Sequence, residues 1–421
     1  MSRWLRSVAV CATLAAAGLE AQVAPEGPAE TVVRDRGFRL GRVIVQPRFD
    51  FGGIGWESNV YLVGEGAGEE RNDLFASGGP GLGLMVPITP KLRFLADSRL
   101  NYHWYLETAD QRRLTGGGDG RLVFNGGPVR LTAGYAHYRT FERPVAEIGR
   151  RIETTRAGPV GSLGFSLPGR LKVDLDATYR DESSPEDEPD VLGNDVARRL
   201  SRATFEARPR LGYAITPKTS VFVEAPFRRE IYDQEDTLDA DTWGYGVGIE
   251  TDPTTLVPGL LRVGVERYDA QSDTTPTRDS WYAELRVQFG PSPRTRFEPS
   301  YRRARETSLL RTLGDTQTLV RDELGLRILK ELVTERLDLR VNLQRAAVET
   351  DGGGVELDFG AGSEEVRRDE VQYLAEGDLG YRFGALRLGL VGSWRNRSRT
   401  AFASGGRAEG FTLGLSANFR P

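Results

Sequence analysis

The sequence predicts an all-β chain, a transmembrane up-and-down antiparallel β-barrel of about 18 strands, on three observations. Apolar and polar residues alternate with period two through segment after segment. Short turns and long polar connections take turns along the chain. Aromatic residues gather toward the two ends of the segments. Period-two alternation makes a strand with two unlike faces. The short/long rhythm suits a meander closed on itself, and two aromatic belts are what the two interfaces of a bilayer select.

The 421 residues divide into three parts. "MSRWLRSVAVCATLAAAGLEA" sets Arg3 and Arg6 before an apolar run from Ser7 to Leu19, with Ala21 as a cleavage position. Residues 1–21 therefore read as a secretory signal peptide. Residues 22–40 read as a short periplasmic segment and 41–421 as the barrel, which places the chain in the outer membrane of a Gram-negative bacterium. Cys11, the sole cysteine, lies within the signal peptide and leaves no thiol chemistry for the remainder. Val10 before it does not suit lipidation. No other stretch reaches about 18 apolar residues, so no spanning helix is expected. A net charge of −4, with both signs mixed throughout, gives no sign of a nucleic-acid partner.

The strands follow in order. In "LRFLADSRLNYHWYL", Leu92, Phe94, Ala96, Leu100, Tyr102, Trp104 and Leu106 alternate with Arg93, Asp97, Arg99, Asn101 and His103. Leu171 to Tyr179, Ala203 to Tyr213, Leu337 to Leu343, Tyr373 to Phe383 and Leu386 to Trp394 repeat the pattern. The last strand sets Phe411, Leu413, Leu415, Ala417 and Phe419 on one face. Turn chemistry such as "TPK", "NGGP", "LPGR" and "TPKT" punctuates them. Eight short turns and nine long loops are expected, about 18 strands in all, with both termini at the short-turn end. Leu319–Leu337 could be drawn as an amphipathic helix, but Leu324, Leu326 and Ile328 alternate and "KELVTE" falls where a short turn is due, so a hairpin is expected. Tyr102, Trp104, Tyr135, Tyr179, Trp243, Tyr245, Trp281 and Trp394 are placed near long-loop ends, and Phe124, Phe165, Tyr213, Phe289, Phe383 and Phe419 near short-turn ends.

The stretch "GWESNVYLV", Gly55–Val63, carries Trp56, Glu57, Asn59 and Tyr61, and "YAHYRTFERP" carries Arg139, Glu142 and Arg143. These resemble two short motifs of the "β-barrel porin 2" family of bacterial outer-membrane proteins, whose members often accompany exopolysaccharide systems. The resemblance implies location and fold, and suggests polysaccharide export as the cargo. Outer-membrane barrels commonly finish on an aromatic residue; here Phe419 is followed by Arg420 and Pro421.

The polar faces supply the candidate site. Arg93, Asp97, Arg99, Asp174, Asp176, Glu206, Arg208, Arg210, Asp338 and Arg340 are expected to line the lumen, where planar guanidinium donors and carboxylate acceptors suit hydrophilic solutes. The same charges equally suit a ladder of cross-strand ion pairs that stiffens the wall. No catalytic residue, cofactor or metal is expected. His103 and His137 are the only histidines and lack a nucleophile context. The acidic run "DESSPEDEPD", Asp181–Asp190, lacks the spacing of a Ca²⁺ loop and reads as solvated. "ETVVR", Glu30–Arg34, resembles the coupling box of active transporters, yet no room for a plug domain follows. The glycine clusters "TGGGDG" and "GYGVG" have no helix after them and read as small residues easing crowding in the wall. The function expected is a porin or exit conduit for hydrophilic solutes. The rivals are a non-transporting scaffold or adhesin binding through long loops, and a barrel hydrolase. Outer-membrane lipid and lipopolysaccharide, the barrel-insertion machinery and a periplasmic polysaccharide-export component are the partners expected.

Overall fold

The computed structural model describes residues 37–60, 70–142, 152–184, 201–233, 239–271, 277–292, 294–307, 318–351, 355–358, 363–366, 369–399 and 407–419. The signal peptide, Tyr61, Arg143, "ETVVR" and residues 185–190 of the acidic run lie outside them.

Among the described residues, 18 strands form one closed antiparallel barrel. The first six are β1 (Val43–Glu57), β2 (Asp73–Pro87), β3 (Leu92–Tyr105), β4 (Arg113–Gly126), β5 (Val129–Glu142) and β6 (Ile152–Ser166). Next come β7 (Leu171–Ser183), β8 (Arg202–Thr216), β9 (Thr219–Glu224 continuing as Phe227–Tyr232), β10 (Ala240–Thr251) and β11 (Gly259–Ala270). They are followed by β12 (Arg278–Val287 continuing as Phe289–Ser292), β13 (Thr295–Thr307), β14 (Thr318–Val333) and β15 (Leu337–Asp351). β16 (Asp369–Phe383), β17 (Leu386–Arg399) and β18 (Arg407–Phe419) complete the wall. Each strand pairs with its sequence neighbours, and β18 returns to β1 from Phe49↔Phe419 to Glu57↔Thr412. Long and short connections alternate except at β10–β11, where residues 252–258 match the length of the connections on either side, 233–239 and 271–277, and Leu319–Leu337 is the β14–β15 hairpin. A minor hairpin, Val355–Asp358 with Ser363–Val366, stands in the β15–β16 connection.

Local chemistry sets these elements. The Thr89 hydroxyl accepts from the Lys91 and Leu92 N–H groups (3.2 and 2.9 Å) and closes the β2–β3 turn. Pro226 interrupts β9 because it has no N–H to offer the ladder. Its carbonyl still accepts from Gly244, so the register is the same on both sides of the break. Residues 38–40, expected in the segment before the barrel, pair with β1 (Phe38↔Val45 to Leu40↔Val43). They occupy the place that β18 would fill had it run past Phe419.

A bulge at Phe51–Gly53 shifts the register of β1 against both its neighbours. One extra residue exchanges the faces of everything after it. Phe49 before the bulge and Ile54 and Trp56 after it all point outward, each at least 41% exposed.

The outer face is apolar. Leu100, Leu211, Val247, Val263, Leu413 and Leu415 are exposed on it, and Tyr245 at 66% stands beside Trp243 and Trp281 toward the long-loop end. Tyr135, expected near that end, instead sits halfway along β5, opposite Gly120 and Pro159. Hydrophobic clusters among the described buried residues are small: Ile44 with Met85 and Leu95, and Leu319 with Val348. Among the described residues the hydrocarbon lies outside; the buried ion pairs around Arg48, Glu224 and Arg387 lie inside, while Arg139–Glu153 and Arg303–Asp322 lie outside.

Candidate functional site

The inner wall is built from residues that alternate with the exposed leucines and reach one another around the concave side. Arg48 on β1 lies across Gly81 of β2 and donates to the Asp97 carboxylate on β3 at 2.7 and 2.6 Å. A Cβ at Gly81 would meet the Arg48 Nε at 2.5 Å. Arg387 on β17 lies across Gly380 of β16 to reach Asp338 on β15 (2.5 Å), and also holds Asp378 at 2.9 Å. A Cβ at Gly380 would fall on the Arg387 guanidinium. Tyr282 on β12 passes Gly264 and Gly246 to donate to Glu224 on β9 at 2.9 Å.

Glycine is what makes this geometry possible. Where the middle strand has no side chain, a long guanidinium or phenol can lie down on the sheet instead of standing in the lumen. Each brace then joins strands two or three apart with charge-assisted bonds. "GYGVG" supplies Gly246, and Gly248 gives room to the Phe222 ring. In "TGGGDG", Gly116 and Gly117 press against the Arg99 and His137 carbonyls of the two neighbouring strands. Both clusters relieve crowding in the wall, as the sequence suggests.

The ten lumen candidates all sit on this face, in four groups. Arg93, Asp97 and Arg99 share β3, where Asp97 takes the Arg48 brace. Asp174 lies 4.0 Å from Arg130, and Asp176 binds Arg210 at 2.6 Å. Glu206 is 3.7 Å from Arg228, and Arg208 is 3.9 Å from Glu224. Asp338 and Arg340 pair at 3.3 Å on β15. Glu224, with no exposed side-chain surface, is the hub of the β8–β12 wall. It receives Tyr282, Arg262 at 3.5 Å and Arg208, while Arg262 also binds Glu284.

Sequence reasoning missed Arg48, Arg262, Tyr282, Glu284 and Arg387. The available signal was an inward alternation position two strands from an opposite charge, with an inward glycine between. Reading it needs the register as well as the strand order.

The acidic run is not wholly solvated. Asp181–Ser183 belong to β7, and Glu182 is buried between Arg156 (2.8 Å) and Arg202 (3.4 Å). Two positive neighbours hold that carboxylate in the wall, which is the reason it does not extend into solvent.

The motif residues do structural work at the outer rim. Trp56 packs on Phe411 of β18 with ring centroids 6.4 Å apart. Glu57 accepts from the Tyr105 hydroxyl at 2.8 Å. Asn59, 2% exposed and at φ 48°, donates from its side chain to the Glu409 carbonyl at 3.0 Å. Ser58 exchanges two bonds with the Phe411 backbone (2.8 and 2.7 Å). "WESN" therefore clasps the first strand to the last. Arg139 pairs with Glu153 at 2.5 Å on the outer face, and Glu142 ends β5.

The two histidines are not brought together. The His103 Nε2 lies 2.9 Å from the Asn101 amide on the inner face, whereas His137 is exposed on the outer face.

No protein-family model matches the chain, and no curated protein matches it either. Solved structures do. OccAB4 of Acinetobacter baumannii is 13% identical with a TM-score of 0.43, covering 90% of this chain and 98% of its own. Pseudomonas aeruginosa OccK2 (OpdF), solved in complex with glucuronate, is 14% identical with a TM-score of 0.44, covering 89% and 98%. The siderophore receptor PirA from Acinetobacter baumannii is 9% identical with a TM-score of 0.46, covering 90% and 80%. The chain is similar to these proteins, each across most of its length.

Proposed function

We propose that the chain is an outer-membrane pore through which hydrophilic solutes pass along the barrel axis. The observation that carries this reading is the set of braces laid flat over inward glycines: Arg48 over Gly81, Arg387 over Gly380 and Tyr282 over Gly264. Side chains tied down along the wall leave the axis to water, and a cylinder of 16–18 strands is wide enough for an aqueous channel. The exposed leucine face suits acyl chains, and lipopolysaccharide would surround the long-loop end. Such a barrel would reach the membrane through the barrel-insertion machinery.

The wall also suits hydroxyl-rich cargo. Guanidinium donors and carboxylate acceptors alternate along it, and both recognise hydroxyls in fixed directions. Together with the two motif resemblances, this supports polysaccharide as the cargo, handed over by a periplasmic export component.

Planar-bilayer recording of the purified full chain tests the pore. Steady ionic current is expected. Replacing Gly81 or Gly380 with valine would lift Arg48 or Arg387 off the wall and lower the conductance of the folded barrel. Confirmed insertion without current would overturn the pore and favour the scaffold.

A further inference from the structure

The wall is not zipped evenly. β12 stays paired with β11 as far as Tyr268↔Arg278, and β13 stays paired with β14 as far as Thr307↔Thr318. Between β12 and β13 themselves, the described ladder runs only from Arg286↔Ser300 to Ala283↔Arg303, with a further short contact at Phe289↔Phe297. Toward the long-loop end both strands therefore continue side by side, each bonded to its other neighbour and not to the other. This seam is unlike the joint of first and last strands, where Ser58 and Asn59 bond β18 at the same end.

Unpaired backbone cannot be left bare within a membrane wall. Side chains bridge it instead: the Glu266 carboxylate accepts from the Arg305 backbone N–H, and Arg305 supplies donors in turn. Its guanidinium, on a residue 7% exposed, donates to the Arg278 and Asp279 carbonyls at 2.8 and 3.2 Å and stands over the Tyr268 ring. Side chains thus hold a seam that backbone ladders hold elsewhere. Such a latch differs from a ladder because it can be withdrawn without breaking a strand.

The two sides of the latch differ in character. A cavity of about 170 Å³ borders the latch, its lining including Tyr268, Tyr282, Arg302, Arg303 and Arg305. Outside, Trp281 is 45% exposed, with the Arg303 guanidinium 4.4 Å from its ring centre and paired to Asp322 at 2.5 Å. Trp281 lies on the same hydrogen-bonded row as Tyr245, through Val265. The floor of the unzipped seam therefore sits at the outer aromatic belt, where the headgroup region begins.

We propose that this seam is a side portal between the lumen and the outer leaflet, with Arg305 as its latch, for amphiphiles carrying one anionic head. Arg302, Arg303 and Arg305 all border the cavity at the seam, and Arg303 also reaches the ring of Trp281. They offer successive guanidinium partners to a carboxylate or phosphate. Tyr282, Tyr268 and Trp281 offer ring faces to an apolar tail. An anionic head would replace the two carbonyls as the acceptors of the Arg305 guanidinium. The proposal rests on the barrel lying in a lipid bilayer and does not require axial passage of hydrophilic solutes.

The test uses the full chain in vesicles on a Cys11→Ser background. The pair Ser280→Cys and Ala304→Cys spans the seam, and the pair Glu250→Cys and Leu260→Cys spans the fully paired β10–β11 seam as a control. Fluorescent lysophosphatidate is presented from the lumen side and captured by external albumin; glucose and gluconate efflux are followed in parallel. Oxidising the first pair is expected to lower lysophosphatidate transfer about tenfold, with reductant restoring it and the control pair changing it less than about twofold. Glucose and gluconate should be unaffected. Lysophosphatidate transfer that is absent, or unchanged by the crosslink, overturns the portal, as does an equal fall in gluconate. Loss of sugar efflux in every variant, with crosslink-sensitive lysophosphatidate transfer, would sink the axial pore and uphold the portal.

Discussion

Asn59 concentrates the closure of the barrel in one side chain. Its φ of 48° is a region where asparagine and glycine are tolerated and most other residues are strained. Its amide also carries a partly buried bond to the Glu409 carbonyl. Asn59→Ala is expected to cost about 1–3 kcal/mol, combining strain with loss of the bond to the Glu409 carbonyl. Asn59→Gly, which removes only the bond, should cost nearer about 1 kcal/mol. Urea unfolding of the folded barrel in detergent checks both. Glu224 is the opposite kind of residue, a buried acceptor shared by four partners, Arg208, Arg210, Arg262 and Tyr282. Removing it as Glu224→Ala leaves Arg262 held by Glu284 alone and the Tyr282 hydroxyl without its acceptor, and should cost about 3 kcal/mol by the same measurement. A smaller loss than that for Asn59→Ala would show that the hub is dispensable.

At the scale of the element, the wall depends on glycines that the strand pattern alone undervalues. Gly81→Val places a branched side chain where Arg48 lies. The expected outcome is a folded barrel in which Asp97 loses its bidentate partner, with lower stability and a smaller conductance; Arg48→Met should reproduce the stability loss while leaving conductance intact. The strands themselves were legible. β3 and β15 alternate so cleanly that the facing of their side chains follows from the residue pattern, and the β14–β15 hairpin was recoverable from "KELVTE" despite its helical look. The braces were not legible, because Arg48 and Asp97 are 49 residues apart and meet only once the register is fixed. Register follows from turn lengths and bulges, and a bulge such as that in "FGGIGW" leaves no mark in hydrophobic periodicity except a break. Tyr135 was misplaced for a related reason: a belt position depends on where a strand meets the membrane, and the sequence gives only its ends.

The whole molecule is an inverted protein, with its hydrocarbon outward. Leu415, 59% exposed near the middle of β18, is a direct probe of that arrangement. If its surroundings are acyl chains, Leu415→Arg should cost about 2–4 kcal/mol when unfolding is followed from lipid vesicles. A soluble surface would accept the change with almost no penalty, and that result would remove the membrane from the account. The same logic gives the bulge in β1 a consequence of its own. Deleting Gly52 would spare every named ion pair on the short-turn half and still turn the remainder of that ribbon inside out. The Trp56 indole would then be aimed at water and the Glu57 carboxylate at oil, and the clasp to the last strand would present its wrong side.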